Sequence, residues 1–332
     1  MPGLPIGIIE DKALDAVMKY WSFKDVAGLF YRDLGQQFSQ TRVQCFANVG
    51  GGVVLAGTGV GGLILKSTDY GLTWANKGQL GSEPRIYGLA YLDTGVCLAG
   101  TYDHGTIFKS TDDGDNWTDK GQLGAETIIY RIEDVGGGIA LAGTGPNGKI
   151  FRTTDSGDNW TDLGQTGTMA NIKCFANIGD GIVCAGGGTS GHIFRSTDYG
   201  ATWDDLGQQA GENQIESMTY CEDGVVIAGT STVAKIVRSP DYGLTWYDME
   251  AFSVPTFIQS VAYLGNGVCI CGGPPDALLH RSVDYGITWI EGDSHATNPW
   301  IMSIEHIEDG LTLLGTADTT GNISRIPKPP LW

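Results

Sequence analysis

One eight-residue segment recurs six times along the chain and constrains the fold more than any other feature. Its first copy, residues 67–74, reads Ser-Thr-Asp-Tyr-Gly-Leu-Thr-Trp. Successive copies lie 43 residues apart, and their aspartates are Asp69, Asp112, Asp155, Asp198, Asp241 and Asp284. A fixed period of about 40–50 residues is typical of propellers and solenoids, in which each repeat forms one structural unit.

The composition of this segment suits a tight turn. The aspartate can accept backbone N–H groups, and the glycine two residues later can adopt a positive φ. The Ser or Thr two residues before the aspartate can add a hydroxyl to the same turn. The tryptophan is large enough to fill the space between neighbouring sheets, with its indole N–H directed at a carbonyl.

The segment resembles the Asp-box (BNR) repeat, S/T-x-D-x-G-x-T/N-W, which occurs in sialidases, sortilin-type receptors, xyloglucan hydrolases and photosystem II assembly factors. The resemblance implies a hairpin between the third and fourth strands of a propeller blade, on the face away from the ligand. We therefore expect the six aspartates to be structural. The alternative, that they bind metal or act in catalysis, is disfavoured because six copies serve fold symmetry better than a single active site.

The rest of each repeat predicts an all-β fold whose two ends pair with each other. A second strand closed by glycine, as in residues 52–58, recurs seven times against six Asp boxes. A fourth strand without its partners stands at 30–35, and a third strand without its successor stands at 322–325. We expect residues 28–36 to pair with 321–327, which removes an exposed sheet edge. The prediction is a seven-bladed β-propeller over residues 28–332, in which the N-terminal strand closes the last blade.

Residues 1–27 lie outside the repeat and form a predicted N-terminal arm. From about Glu10 to Trp21 the apolar residues follow helical spacing, with Leu14, Val17 and Tyr20 on the same face as Trp21. This short amphipathic helix can pack on its own propeller as a cap. Alternatively, residues 1–26 can dock onto a partner or mediate self-association.

Composition and charge exclude several functional classes. A formal net charge of −18 argues against binding to nucleic acid or to an anionic membrane, since both require a basic surface. The seven cysteines show no CxxC or Cys/His metal spacing, so neither a metal nor another cofactor is predicted. The first ten residues lack a signal-peptide pattern, and no apolar run is long enough to insert into a membrane. We expect synthesis in the cytoplasm.

The candidate ligand site is on the face opposite the Asp boxes, where the repeats differ from one another. Aromatic residues stand there beside charged ones and could stack on a sugar ring or clamp a peptide. The alternative is that these side chains only fill a narrow central channel. The candidates at the starts of the first strands are Arg42, Arg85, Tyr87, Tyr130, Arg131, Lys173, Glu216 and Trp300.

These features predict a non-enzymatic binding or assembly module for a glycan or a protein surface. The same features suit a protein carried on a particle such as a virion, as a receptor-binding or decorating protein. The alternative is a glycoside hydrolase of sialidase or xyloglucanase type, and a purely structural scaffold ranks third. Three arginines on this face, Arg42, Arg85 and Arg131, favour the hydrolase, but their spacing differs from that of sialidases. The available carboxylates cannot be paired from sequence: Glu126, Glu133, Glu216, Asp103, Asp276 and Asp318.

Overall fold

The computed structural model describes residues 32–92, 95–253, 256–275, 278–294, 300–307, 311–317 and 321–326. Every regular element in these ranges is a β-strand. The predicted arm and its helix, residues 1–27, lie outside the described residues, as does Tyr31. Within the described ranges, no helix is long and apolar enough to cross a membrane.

The strands follow one another in groups of four along the chain. The first three quartets are β2 (Val43–Gly50), β3 (Val53–Thr58), β4 (Leu63–Ser67) and β5 (Ala75–Gln79); β6 (Arg85–Leu92), β7 (Val96–Tyr102), β8 (Thr106–Ser110) and β9 (Thr118–Gln122); and β10 (Ile128–Gly136), β11 (Ile139–Gly145), β12 (Lys149–Thr153) and β13 (Thr161–Gln165).

The next three quartets are β14 (Asn171–Gly179), β15 (Ile182–Gly188), β16 (His192–Ser196) and β17 (Asp204–Gln208); β18 (Ile215–Tyr220), β19 (Val226–Thr230), β20 (Lys235–Ser239) and β21 (Tyr247–Ala251); and β22 (Ser260–Gly265), β23 (Val268–Gly272), β24 (Leu278–Ser282) and β25 (Ile290–Ser294). The closing sheet combines β26 (Trp300–His306), β27 (Thr312–Ala317) and β28 (Asn322–Ile326) with β1 (Arg32–Gln36).

Each quartet is an antiparallel meander, and the quartets are arranged in a closed series. Five sheets contain four strands, while the second and third quartets join into one sheet of eight through a single pairing of Ile128 with Tyr102. The first strands pack against one another in chain order, and β26 packs against β2. The series therefore returns to its starting point.

The two ends of the repeat array pair as predicted. β1 runs antiparallel to β28, with Arg32 opposite Arg325 and Gln36 opposite Asn322. The side-chain amide of Asn322 also donates to the Asp33 carboxylate at 3.0 Å. On the other side of the closing sheet, the Asn48 amide donates to the Ile307 carbonyl at 2.9 Å. The closing sheet is thus fixed to residues from the beginning of the chain.

The core lies between neighbouring sheets and depends on a glycine near the end of each second strand. A Cβ on Gly100 would lie 2.5 Å from Ile129 of the next quartet, and one on Gly57 would lie 2.8 Å from Ile86. Because these glycines lack side chains, the isoleucine at the start of the next first strand packs directly on the backbone. All seven cysteines are buried and free: Cys45, Cys97, Cys174, Cys184, Cys221, Cys269 and Cys271.

The six recurrent segments form turns between the third and fourth strands, and we call the face that carries them the turn face. In the first copy the Asp69 carboxylate accepts the Thr73 backbone N–H at 2.8 Å and the Thr73 hydroxyl at 2.6 Å. The Ser67 hydroxyl accepts the Gly71 N–H at 2.8 Å, and the Trp74 indole donates to the Gly71 carbonyl at 3.1 Å. The Thr73 donors to Asp69 are exposed, whereas the Ser67 hydroxyl, which donates to Asp69 Oδ1 at 2.8 Å, is buried.

Each turn also fastens its quartet to the preceding one. Lys66 of the first quartet forms an ion pair with Asp115 in the second turn at 2.8 Å. Later quartets use arginine instead, and Arg238 Nε donates to the carbonyl of Tyr285 at 2.8 Å. These contacts lie far from the face on which the candidate site residues were predicted, which is consistent with a structural role.

Candidate functional site

The face opposite the turns, which we call the loop face, contains the loops from second to third strands and from each quartet to the next. Three buried carboxylates hold these loops. Glu83 accepts the Thr106 hydroxyl at 3.0 Å, Glu126 accepts the Asn147 side-chain amide at 2.8 Å, and Glu212 accepts the Val233 N–H at 3.2 Å. Glu126 therefore serves to fix a loop.

A cavity of about 530 Å³ lies where the first strands of all the sheets converge. Five of the predicted site residues line it: Tyr87, Tyr130, Arg131, Lys173 and Glu216. The other three, Arg42, Arg85 and Trp300, stand at the starts of first strands on the same face. The Arg42 guanidinium lies 5.6 Å from the ring centre of Trp300, which is 39% exposed.

Three tyrosines form one side of the cavity. The ring of Tyr87 lies 4.8 Å from that of Tyr102 and 6.3 Å from that of Tyr130, the second pair edge to face. The Arg85 guanidinium lies 4.8 Å from the ring centre of Tyr102, within cation–π range. Burial, reinforced by Tyr102, Tyr87 and Glu216, raises the pKa of Tyr130 to about 12. Its hydroxyl is therefore a hydrogen-bonding group at neutral pH.

A charged pair stands beside the tyrosines. Lys173 Nζ lies 2.8 Å from both carboxylate oxygens of Glu216 and donates to the Gln214 side chain at 2.6 Å. The Glu216 side chain is 7% exposed and that of Lys173 is 20% exposed. The ammonium thus lies closer to the open cavity than the carboxylate does.

Arg131 lies deeper, between two acidic residues. Its Nε is 3.5 Å from Glu133 Oε2, and Glu133 and Glu305 together hold the pKa of Arg131 above its usual value although burial opposes the charge. The pKa of Glu305 is raised to about 7. Burial is the main cause, Glu133 adds to the rise, and Arg131 partly opposes it. The positions equivalent to Arg131 in the other repeats carry only small residues: Cys45, Gly88, Cys174, Ser217, Ser260 and Ser303.

The three arginines offered for a sialidase-like site do not share a ligand position. Arg42 stacks on Trp300, Arg85 on Tyr102, and Arg131 pairs with Glu133. Among the carboxylates considered for hydrolysis, Asp276 and Asp318 lie outside the described residues, and Asp103 is exposed. Among the described residues there is no cluster of His, Cys, Asp or Glu suited to a metal ion.

The cavity residues missed from the sequence include Tyr102 and Glu305. Both differ in type from the residues at the equivalent positions of other repeats. Tyr102 corresponds to Gly59 and Gly145, and Glu305 corresponds to alanine in four of the other repeats. Comparison of the repeats position by position would have identified both. Their contacts across the cavity depend on the closure of the sheets and could not have been read from the spacing.

Neither a protein-family model nor a curated protein sequence matches the chain. Solved structures do match it. One is described as YCF48 bound to D1 peptide, at 18% identity and a TM-score of 0.73, covering 94% of this chain and 99% of that one. The fold is that of a β-propeller. Virginiamycin B lyase from Staphylococcus aureus matches at 14% identity and a TM-score of 0.79, covering 90% of this chain and 99% of that one. The WD40 propeller domain of Doa1 matches at 13% identity and 0.66, covering 87% and 94%.

Proposed function

We propose that the chain is a seven-bladed β-propeller of Asp-box type that serves as a non-enzymatic binding module and takes a polypeptide ligand at the mouth of the loop-face cavity. The assignment of seven blades rests on the six quartets and the closing sheet. The Asp-box assignment rests on the hydrogen bonds of the recurrent turns, which repeat from Asp69 to Asp284 with Thr or Asn as the partner.

The repeats agree at the recurrent turns and differ at the cavity, and this contrast supports the proposal. The recurrent turns keep their aspartate, glycine and tryptophan in six copies. In the cavity, by contrast, one ring of equivalent positions contains Gln44, Tyr87, Tyr130, Lys173, Glu216, Gln259 and Met302. Symmetric positions serve the fold, whereas a surface that breaks the symmetry with large polar groups has the composition of a binding site.

The chemistry of the cavity favours a polypeptide segment. It offers an ammonium, a guanidinium and carboxylates together with tyrosine hydroxyls, so it can pair with backbone amides and with side chains of either charge. Tyrosine and arginine are also the residues that most often carry binding energy at protein interfaces. The peptide-bound YCF48 structure supports this choice, because that propeller of similar fold is described with a peptide ligand.

A glycan is the second candidate, favoured by one observation. Tyr87, Tyr102 and Tyr130 present neighbouring aromatic rings on which sugar rings could stack. A hydrolase is less well supported, because Glu126 holds a loop, Glu216 pairs with Lys173, and Glu133 pairs with Arg131. Each of these carboxylates is thus already engaged.

The test is a binding screen with matched variants on the two faces. The wild-type protein is screened against a displayed random-peptide library and a glycan array. The selected ligand is then measured with Tyr87→Ala, with the charge-neutral pair Lys173→Gln and Glu216→Gln, and with the turn-face control Asp155→Ala. We expect at least about tenfold weaker binding for the cavity variants, corresponding to ~1.4 kcal/mol, and unchanged binding for the control. Binding that survives both cavity variants would reject the site, and glycan-only binding would select the second candidate.

A further inference from the structure

Exposed large apolar side chains of the turn face are densest on two neighbouring quartets, and we call this group the patch. Single turns elsewhere also expose Tyr70, Leu72 and Tyr199, at 39–44%. In the fifth quartet the patch residues are Tyr242, Leu244 and Tyr247, and in the sixth they are Val283, Ile287 and Ile290. Each of these six side chains is between 49% and 57% exposed. The equivalent residues of the second and third quartets are polar: Asp113, Asp115, Thr118, Thr154, Asp158 and Thr161. The repeat therefore does not require apolar residues at these positions.

The two turns that carry the patch lie side by side. Arg238 of the fifth quartet donates to the carbonyl of Tyr285 in the sixth turn at 2.8 Å. The rings of Phe252 and Trp289, from the same two quartets, lie 5.9 Å apart. Six half-exposed large apolar side chains on adjacent turns are a concentration of exposed apolar surface, and such concentrations mark interaction sites.

The N-terminal arm leaves the propeller on this same face. β1 is the fourth strand of the closing sheet, and its first residue, Arg32, pairs with Arg325 near the end of β28. In the sixth quartet the corresponding pairing of Ile290 with Arg281 lies at the edge that carries the turn. The closing sheet packs beside the sixth quartet through β26 and β22. The start of β1, which the arm precedes in sequence, therefore lies on the turn face beside the sixth quartet.

The arm has the length and composition to cover the patch. Thirty-one residues precede β1, and an extended chain spans up to ~3.3 Å per residue, so the arm can reach across neighbouring quartets. Its sequence places Leu14, Val17, Tyr20 and Trp21 at helical spacing, which gives an apolar stripe that requires a partner surface. We propose that residues 1–31 dock on the patch of their own chain, so that the turn face of the fifth and sixth quartets is the arm's binding surface.

The proposal is tested by a double-mutant cycle in the full-length protein. Trp21→Asp changes the arm, Ile287→Asp changes the patch, and Ala201→Asp is the matched control at the same turn position of the fourth quartet. We expect Trp21→Asp and Ile287→Asp each to lower Tm by about 2–4 °C, with no further loss in the double variant. Ala201→Asp is expected to leave Tm unchanged within about 1 °C and to be additive with Trp21→Asp.

Two further readouts distinguish the possible occupants. Trp21→Asp should increase the fluorescence of a dye that binds exposed apolar surface, and Ile287→Asp should abolish most of that increase. Light scattering over a range of concentrations should show a monomer for the wild type. A dimer that is lost in either single variant would assign the patch to the arm of a second copy and overturn the proposal. Equal behaviour of Ile287→Asp and Ala201→Asp would also overturn it, because the patch would then have no occupant.

Discussion

At the scale of single residues, the recurrent turns are stabilised by exposed hydrogen bonds. The Asp155 carboxylate accepts the Asn159 backbone N–H at 2.8 Å and its side-chain amide at 2.7 Å, and these bonds hold the pKa of Asp155 at about 2. Water can replace the carboxylate at these exposed donors, and the buried Thr153 hydroxyl, which donates to Asp155 Oδ1 at 2.8 Å, is the group that loses a protein acceptor when Asp155 is removed. The contribution of each aspartate is therefore modest, and the fold depends on their number.

We expect Asp155→Ala to lower the free energy of unfolding by about 1 kcal/mol at pH 7, the usual net value of such hydrogen bonds. The folded pKa lies below the ordinary 3.8, so this contribution is present above about pH 4 and is lost as the pH falls towards 2. Urea unfolding of the wild type and the variant at pH 7 and at pH 2.5 measures the difference. A larger loss at pH 2.5 than at pH 7 would contradict this account.

A second prediction at this scale concerns Glu305 in the cavity. Burial raises its pKa from 4.5 to about 7, so between these values the folded protein holds this proton more tightly than the unfolded chain does. The contribution of Glu305 to stability therefore falls as the pH rises from about 4.5 to 7. Arg131 and Glu133 face the same carboxyl, and water in the cavity reduces the effect of burial.

Glu305→Gln removes this ionisation and should flatten the dependence. Relative to the wild type, the variant is expected to be about 1–2 kcal/mol more stable at pH 8 than it is at pH 5. Denaturant titrations at the two pH values provide the measurement, with Glu222→Gln, a glutamate outside the cavity, as the control. The same difference between Glu305→Gln and wild type at both pH values would show that Glu305 is not buried as a neutral acid.

At the scale of elements, the glycine of each recurrent turn packs closely on the preceding quartet. Gly200 has φ +75°, and a Cβ there would lie 2.6 Å from Leu141 of the preceding quartet. Gly207, seven residues later on β17, has a similar φ of +80° but no atom within 4 Å of its Cβ position. The two positions separate backbone strain from the steric cost of the contact.

We expect Gly207→Ala to cost about 1–2 kcal/mol, the cost of a left-handed conformation for a residue with a Cβ. Gly200→Ala should cost roughly 2 kcal/mol more, because the added methyl displaces Leu141 and disturbs the packing between quartets. Chemical denaturation of both variants gives the comparison. Equal losses would mean that the turn glycine is required only for its backbone conformation.

The strands could be predicted from the sequence because the 43-residue repeats can be aligned with one another. The sequence has seven second strands but six recurrent turns, so the last sheet lacked a fourth strand. This shortage predicted that the isolated strand β1 pairs with β28. The pairing of Ile128 with Tyr102, which joins two quartets at the loop face, was not predictable because it depends on how neighbouring sheets approach each other. The electrostatic interaction of Arg131 with Glu305 was not predictable for the same reason, since the repeat period does not determine which side chains meet across the cavity.

At the scale of the whole molecule, the proposed function gives the two faces different tasks. The turn face repeats one structural device, and its apolar patch lies on the two quartets that precede the closing sheet. The loop face is where the repeats diverge and where the first strands enclose the cavity. We therefore propose that one face holds the propeller together and that the other recognises the ligand.

This division is tested most directly by hydrogen exchange of the protein with and without the tightest peptide selected in the screen. We predict slower exchange at the starts of the first strands, in residues 85–88, 128–131, 171–174 and 214–217. The recurrent turns, including residues 153–160 and 239–246, should exchange at the same rate with and without the peptide. Protection confined to the turns, with no change at the first strands, would contradict the account.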